Sequence, residues 1–584
     1  MKQELEQAIT RAVQDLYAVD TADVAVELTR PDEKFGDYAT NVALQLAARV
    51  GKPPREIAEA LASSLLESQH GTVARVDVAG PGFLNLALTD SALAALAASV
   101  PARSLEGQTV IAEYSDPNPF KPLHAGHLYT TLVGDTISRL LEQAGAHVVR
   151  INYSGDVGRH VGMSMWAIIR YLGGELPDKL SEIPAAERPA WLGARYVEGN
   201  AAYEAAEAAE KANPNDTAAA SAKQEIIETN RRVYQLHESG DHDSPFAQIY
   251  WTCRQWSYDY FGTLYPQLQV KPFDRYIPES EVTPLGLQTV KEQLAKGVFK
   301  ESEGAVIFDG EAEGLHTRVF INSAGLPTYE TKDVGLILTK WRDYHFDRSI
   351  IITANEQSQY FQVMYASVAR FAPEPAERSS HLSHGTVKLQ GGVKMSSRKG
   401  NVVTALEILD AARAAAAESA HETDRGPVTA ESSEDTVLAA VKYAFAKNRI
   451  GGDIAYDPKE SIALEGNSGP YLQYAHARAR SILAKASGSP HISVEPSGLL
   501  ADERTLVRKL GEYAETVERA TAELMPHHVC GYLYELAQTF NRFYEKNRVI
   551  GDDRQTVRLT LVERYADTLK AGLELLGITA PDRM

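Results

Sequence analysis

Apolar residues at spacings of three and four predict a helix over residues 5–16, with Leu5, Ile9, Val13 and Leu16 on one face. The same period covers residues 42–50. Gly51-Lys52-Pro53-Pro54 interrupts it, and a further helix starts at Arg55. The run VARVDVAGPGFLNLAL (73–88) reads as two strands about a Gly80-Pro81-Gly82 turn. Leu105-Glu106-Gly107-Gln108 reads as a linker. Beyond it lie a β-rich run (109–115), a loop DPNPFKPLHAGH (116–127), and a helical pattern of Leu128, Leu132, Thr136, Leu140 and Leu141. Gly145 ends that helix and HVVRINYS (147–154) is a second strand. Strand, loop, helix and strand in this order make a βαβ unit, the building block of a doubly wound sheet that binds ligands after its first strand. Strand-like runs at 305–309, 317–322 and 348–353 predict that this sheet resumes after a helix-prone, acidic, exposed insertion around 201–225. From about residue 435 the pattern is helical. Its clearest stripe is Val529, Tyr532, Leu533, Leu536, Ala537, Phe540, Phe543 and Tyr544.

At 584 residues the chain exceeds one hydrophobic core, which predicts three or four domains. Two cysteines, Cys253 and Cys530, and no CxxC argue against a disulfide framework or a cysteine-based zinc site, and fit a reducing cytosol. The first residues lack an apolar signal core, and no run of 18 apolar residues predicts a membrane span. A net charge of −19 would repel a polyanion if it were spread evenly. It is not: residues 161–250 carry −6, residues 411–440 carry −4, and residues 466–584 sum to zero.

Two segments carry candidate chemistry. His124-Ala125-Gly126-His127 stands where the loop enters the helix, its histidines one turn apart. Free N–H groups at a helix start favour phosphate, and imidazole donors can follow charge developing on a phosphoryl group. The bland alternative is two exposed histidines at an ordinary helix start. Neither GxxxxGK[ST] nor GxGxxG occurs, so a phosphate needs another device. TVKLQGGVKMSSRKG (386–400) holds Lys388, Lys394, Arg398 and Lys399 and no acid, and its glycines suit a loop that closes on pyrophosphate. Alone, it would equally be a solvated basic loop.

Together, HAGH and KMSSR resemble the HIGH and KMSKS signatures of class I aminoacyl-tRNA synthetases. EYSDPNPFKPLHAGH (113–127) is similar to the arginyl-tRNA synthetase form of the first. GDYATNVALQLAARVGKPPREIA (36–58) and VAGPGFLN (78–85) resemble that family's N-terminal domain. EGNSGPYLQYAHARARSIL (465–483), YELAQTFNRFYEKNRV (534–549) and the ending LLGITAPDRM resemble its anticodon-binding domain. Ala125 replaces the HIGH isoleucine, as is usual in this family. Ser397 stands where KMSKS has its second lysine, so that phosphate role is expected of Lys394, with Arg398 or Lys399 helping.

The resemblance implies a Rossmann-type doubly wound parallel sheet at 106–435, with a helical insertion at about 165–260 and the KMSSR loop at 388–400. It also implies a small α+β N-terminal domain at 1–105 and an all-α helix bundle at 436–584. It implies ATP contacts from Pro122, His124, Gly126, His127, Met395, Ser396 and Ser397. An arginine pocket would comprise Glu113, Ser115, Asn118, Tyr329, Asp333 and Gln357. Two carboxylates there would be divided between the α-amino group and the guanidinium, which needs planar, bidentate partners. Charged hydrogen bonds discriminate strongly enough that no editing domain is required. Read without the family, Asp333 is a helix-start charge and Tyr329 a packing aromatic.

The implied partners are tRNA-Arg, L-arginine and ATP with Mg2+, with no zinc, no protein-bound cofactor and no membrane. The protein would be a cytoplasmic monomer that forms adenylate only with tRNA present. Candidate tRNA contacts are Tyr471, Arg478, Asn541, Arg548, Arg583 and Met584, since unpaired bases are read by stacking and edge contacts. The acidic segments are expected to face away from that tRNA. Alternatives are a class I relative for another amino acid, a nucleotidyltransferase sharing only HxGH, or a non-catalytic RNA-binding paralogue.

Overall fold

The computed structural model describes residues 1–19, 24–212, 217–390, 403–422, 430–486 and 498–584. Its centre is a five-stranded sheet of β1 (Thr109–Glu113), β2 (His147–Ser154), β3 (Arg275–Pro278), β4 (Arg348–Ala354) and β5 (Ser379–His384). All pairings are parallel and the order is β5-β4-β1-β2-β3. The order reverses between β1 and β4, and a crevice opens at the carboxyl ends of strands at such a point. Both faces are covered, which is why β1 and β2 are buried at consecutive positions rather than alternately, Arg150 and Asn152 included. Val110 and Ala112 pack with Leu128 and Leu132 of α1 (Ala125–Gln143), while Ile111 packs on the other side with Leu336.

Between β2 and β3 come four helices: α2 (Arg159–Leu172), α3 (Arg188–Ala212), α4 (Thr217–Ser239) and α5 (Pro245–Gln267). They build their own apolar cluster, which includes Leu192, Val233, Tyr250 and Trp256 and takes in Phe120 from the β1–α1 loop. Trp191 and Trp256 meet edge to face at 6.2 Å, and the Arg188 guanidinium lies 4.3 Å over Trp256. After β3 follow α6 (Glu279–Ala295), α7 (Tyr329–Tyr344) and α8 (Ser358–Ala369).

The runs expected at 305–309 and 317–322 do form strands, but not in the parallel sheet. Ala305–Phe308 and Arg318–Ile321 pair antiparallel in a separate sheet with Lys300–Ser302. The linkers between them are too short for the crossover that a parallel pair requires. The parallel sheet resumes instead at β3, and it ends at β5, whose sequence SSHLSH carries no apolar alternation.

The N-terminal region has a three-stranded antiparallel sheet with Phe83–Leu88 between Tyr38–Thr40 and Val73–Ala79, backed by Lys2–Tyr17, Val42–Val50 and Pro54–Ser68. The C-terminal region is a bundle that includes Gly469–Lys485, Ala501–Leu510, His527–Lys546 and Gln555–Leu575. The stripe on His527–Lys546 is buried as expected, apart from a half-buried Tyr544. These two regions share one apolar cluster, running from Leu5 and Leu61 to Leu506 and Leu533. Buried Asp37 crosses between them to Arg504 (2.7 Å) and Arg508 (3.4 Å).

Candidate active site

The loop from β1 to α1 carries unusual backbone geometry. Ser115, Asp116 and Phe120 have φ of 76°, 47° and 67°. Non-glycine residues rarely adopt such values, and each costs about 1–3 kcal/mol unless the surroundings dictate it. Here they do. The buried Phe120 ring lies 5.7 Å from Tyr250 in the insertion core, and its N–H donates to Ser257 Oγ at 3.0 Å. The Asp116 carboxylate accepts the Tyr153 N–H at 2.8 Å.

At the end of this loop the two histidines cap α1 through each other. His124 Nδ1 accepts the N–H of Gly126 (3.1 Å) and of His127 (3.3 Å), and His127 Nδ1 accepts the His124 N–H (3.3 Å). The rings stack with centroids 3.7 Å apart. Gly126 is required here, since a Cβ would stand 2.9 Å from His124 Cε1. The Ala125 N–H donates to the Val403 carbonyl at 2.7 Å. The helix start therefore has no free N–H at residues 125–127, contrary to the expectation of a backbone phosphate cradle. Because both Nδ1 atoms accept, both rings carry their proton on Nε2. Burial, with Lys121 nearby, lowers His124 to about 4 and His127 well below the usual imidazole value. Two neutral imidazoles thus offer Nε2–H donors to the cavity they line.

That cavity, about 600 Å³, sits at the carboxyl ends of β1 and β4. Its walls include every residue expected in the arginine pocket: Glu113, Ser115, Asn118, Tyr329, Asp333 and Gln357, with His124, Gly126 and His127. Pro122 lies elsewhere, packed toward Gly193 of α3. The Ser115 hydroxyl accepts from Thr131 Oγ1 (2.8 Å) and shares a hydrogen bond with Tyr265 Oη (2.9 Å). Gly155 is bare because a Cβ would come within 2.3 Å of Asn118 Oδ1. A second cavity of about 580 Å³, between Arg188, Trp251 and Trp256, holds none of these groups.

Several residues that line or back the cavity wall carry no sequence signal. Buried Lys340 pairs with Glu113 at 2.7 Å, and buried Lys332 pairs with Glu279. Both lysines lie on α7, where they read as ordinary helix positions. Tyr360 Oη donates to Asp333 at 2.5 Å. Burial, reinforced by Glu113 and Glu279, pushes Asp333 up to about 7 despite that bond. Asp116 is raised well above the usual carboxyl value by burial and by Glu113.

Lys394, Met395, Ser396, Ser397, Arg398 and Lys399 lie outside the described residues. The flanks of their segment are described. Lys388 pairs with Asp453 at 2.7 Å, and beyond the segment Val403–Ala405 hydrogen-bonds the Leu123–Ala125 backbone. The exit of the basic segment is thereby tied beside the histidines. Among the described residues no three metal-ligating side chains converge, and no helix is long and apolar enough to cross a membrane.

In the C-terminal bundle, Tyr471 Oη accepts from Asn541 Nδ2 at 2.9 Å, and Arg478 lies 5.0 Å over the Tyr544 ring. These four share one seam between two helices. Arg548 is exposed beyond the helix end, its Nε–H on the Ile550 carbonyl. Arg583 and Met584 are exposed on a closing segment that His476 and Arg480 hold through Pro581 and Asp582.

Three family models match the chain: "Arginyl tRNA synthetase N terminal domain" at residues 3–88, "tRNA synthetases class I (R), catalytic domain" at 91–453, and "DALR anticodon binding domain" at 472–584. The chain is 31% identical to the arginine–tRNA ligase of Porphyromonas gingivalis over 603 residues, covering 100% of this chain and 99% of that one. To the arginine–tRNA ligase of Bacteroides fragilis it is 30% identical over 608 residues, covering all of both. The solved Thermus thermophilus arginyl-tRNA synthetase superposes with a TM-score of 0.76 at 26% identity over 100% of each chain. The Plasmodium falciparum arginyl-tRNA synthetase shares the fold, with a TM-score of 0.75 at 20% identity, over 100% of this chain and 99% of that one. From matches that run along the whole sequence, the chain belongs to the arginyl-tRNA synthetase family of class I aminoacyl-tRNA synthetases.

Proposed function

We propose that the chain joins L-arginine to tRNA-Arg in two steps. The arginine carboxylate attacks the α-phosphorus of ATP, forming arginyl-adenylate and releasing pyrophosphate. The terminal ribose hydroxyl of tRNA-Arg then attacks the adenylate carbonyl and AMP leaves. The observation that carries this reading is the single cavity holding both the paired imidazoles and the whole expected arginine pocket.

Catalysis in this reading is positioning and charge stabilisation. His124 and His127 hold their Nε2–H donors on the phosphate oxygens, where each bond strengthens as negative charge develops. Being neutral, the rings act as fixed donors rather than proton shuttles near pH 7. Asp333, Tyr329, Asn118 and Gln357 hold arginine, and Ser115 positions the loop through Tyr265 and Thr131. Lys394, Arg398 and Lys399 meet the pyrophosphate, Met395, Ser396 and Ser397 line the nucleotide, and Pro122 orients the histidine loop. Mg2+ enters with ATP as part of the substrate.

The regions 1–105, 106–435 and 436–584 serve as tRNA-binding, catalytic and anticodon-binding units. Tyr471, Arg478, Asn541, Arg548, Arg583 and Met584 are the proposed tRNA contacts, with the acidic helices of the insertion turned away from the tRNA. The reading has the enzyme working as a cytoplasmic monomer, with tRNA needed for adenylate formation.

ATP–pyrophosphate exchange tests it with each amino acid, with and without tRNA-Arg. Exchange should occur with arginine alone among them, and only with the tRNA present. Exchange with another amino acid, or none at all, would overturn the assignment. His127→Ala should slow adenylate formation about 100-fold while leaving tRNA affinity nearly intact, as expected for a donor used mainly in the transition state. Equal loss of both would mark the histidine as structural.

A further inference from the structure

Helix α1 begins at the cavity and ends in another part of the molecule. His124 and His127 stand at its start, and Leu128 and Leu132 pack toward the sheet. Leu140, further along, belongs to the apolar cluster of the N- and C-terminal regions. Between them, about 12 Å beyond His127 along the axis, lies the buried Asp135. Its carboxylate accepts from Arg139 Nε at 2.7 Å and from the Lys271 N–H at 3.0 Å. Lys442, on the helix Ala430–Ala446, is buried in the same junction. Its amine donates to two main-chain carbonyls, Gln269 at 3.2 Å and Gly577 at 2.5 Å. Among the described residues no carboxylate forms a salt bridge with it, and burial lowers it to about 8 in spite of Asp135.

The two carbonyls come from different places. Gln269 follows α5, the helix whose Ser257 holds Phe120 and whose Tyr265 meets Ser115. It has a left-handed φ of 50°, and its side chain bridges Asp435 (2.6 Å) and Thr579 (3.1 Å). Gly577 follows the helix Gln555–Leu575, with φ of 67°. A Cβ there would stand 3.2 Å from Asp135 Oδ2 and 3.3 Å from both Arg139 Nε and Lys442 Nζ. Arg139 also reaches back to the Glu574 and Gln269 carbonyls at 3.4 and 3.5 Å. One amine thus gathers the helix that carries the histidines, the helix that supports their loop, and the segment 576–582. A well-packed apolar side chain would fasten the same surfaces without desolvating a charge. What the amine adds is direction, since its bonds are made only when both carbonyls are in place.

Resting on the arginine–tRNA ligase reading, we propose that Lys442 is a positioning residue for adenylate formation: it locks the segment 576–582 against α1 and α5 and so fixes where His124 and His127 point. The amine touches no substrate and acts only through the helices it joins. The strained backbone at Gln269 is of the kind retained where a geometry must be held. The histidine donors work mainly in the transition state, where a misplacement of about 1 Å costs on the order of 100-fold.

Lys442→Met removes the amine and keeps a stem of similar bulk. In the full chain with saturating tRNA-Arg, kcat for ATP–pyrophosphate exchange should fall about 10- to 100-fold, while KM for arginine and for ATP changes less than about 3-fold. A double-mutant cycle separates positioning from mere fastening. In a His127→Ala background the same substitution should cost about 3-fold or less, because residues that act as a unit are not additive. An unchanged kcat, or the same fold-loss with and without His127, would overturn the proposal and leave Lys442 a structural fastening. Gly577→Ala, which crowds the junction from the other side, takes the same cycle if Lys442→Met does not fold. Absence of arginine-dependent exchange by the unaltered enzyme would instead refute the arginine reading itself.

Discussion

Asp333 is surrounded by Tyr360 from α8, Glu113 from β1, Glu279 from α6 and Lys340 from its own helix, and its proton leaves at about pH 7. In the proposed pocket, a bound arginine cation needs the ionised form. Below about pH 7, arginine must therefore expel a proton to bind, and its affinity should rise by up to tenfold per pH unit until the group is ionised. By the same sign, the ligand-free fold loses stability at Asp333 as pH rises from about 4 toward 7, and arginine restores it. Calorimetry at pH 6.5 in buffers of different ionisation enthalpy should show proton release, and an affinity constant from pH 6 to 8 would contradict this account. The Lys340–Glu113 pair makes a second prediction. Lys340→Met strands a buried carboxylate and should cost about 3–5 kcal/mol in urea unfolding, whereas adding Glu113→Gln should recover most of that loss.

At the scale of elements, the β1–α1 loop shows what pattern reading reaches and where it stops. The strand, the helix and the histidine pair were legible because apolar period and spacing are local properties. The loop's support was not. Phe120 reads as one aromatic among prolines, yet it plugs the insertion core, its N–H held by Ser257 137 positions along the chain. The Glu113–Lys340 contact spans 227 positions and exists only because β1 and α7 meet across the sheet. Asp116, an acid before a proline, reads as a turn former. Strand β5 escaped notice because SSHLSH is polar and lies at a sheet edge, where burial demands little. Phe120→Ala should destabilise the protein by about 3–5 kcal/mol and slow adenylate formation more than it weakens tRNA binding. Phe120→Gly should be the milder change by about 1 kcal/mol, reversing the usual order, because glycine relieves the positive φ. Paired melts of the two variants decide the point.

At the scale of the whole molecule, the N- and C-terminal regions are not independent appendages of the catalytic sheet. They share an apolar cluster, and Asp37, fully buried, is neutralised by Arg504 and Arg508 from the far end of the sequence. Arg30 reaches Glu515 across the same seam at 2.8 Å. Replacing Arg504 and Arg508 together by methionine leaves Asp37 uncompensated, which should cost about 3–5 kcal/mol and loosen the N-terminal region. Limited proteolysis near residues 99–107 should then accelerate, and an unchanged cleavage rate would show that the apolar cluster alone holds the seam. The insertion is likewise less peripheral than its acidic composition suggested, since it clamps the histidine loop through Phe120, Pro122 and Lys121, the last lying 4.4 Å from the Tyr196 ring. Of the five tryptophans, Trp166, Trp191, Trp251 and Trp256 lie on α2, α3 and α5, and only Trp341 lies elsewhere. Intrinsic fluorescence of this protein is thus almost entirely the light of one layer: it will register a shift of the histidine loop against α5, and it will be nearly blind to melting of the terminal regions.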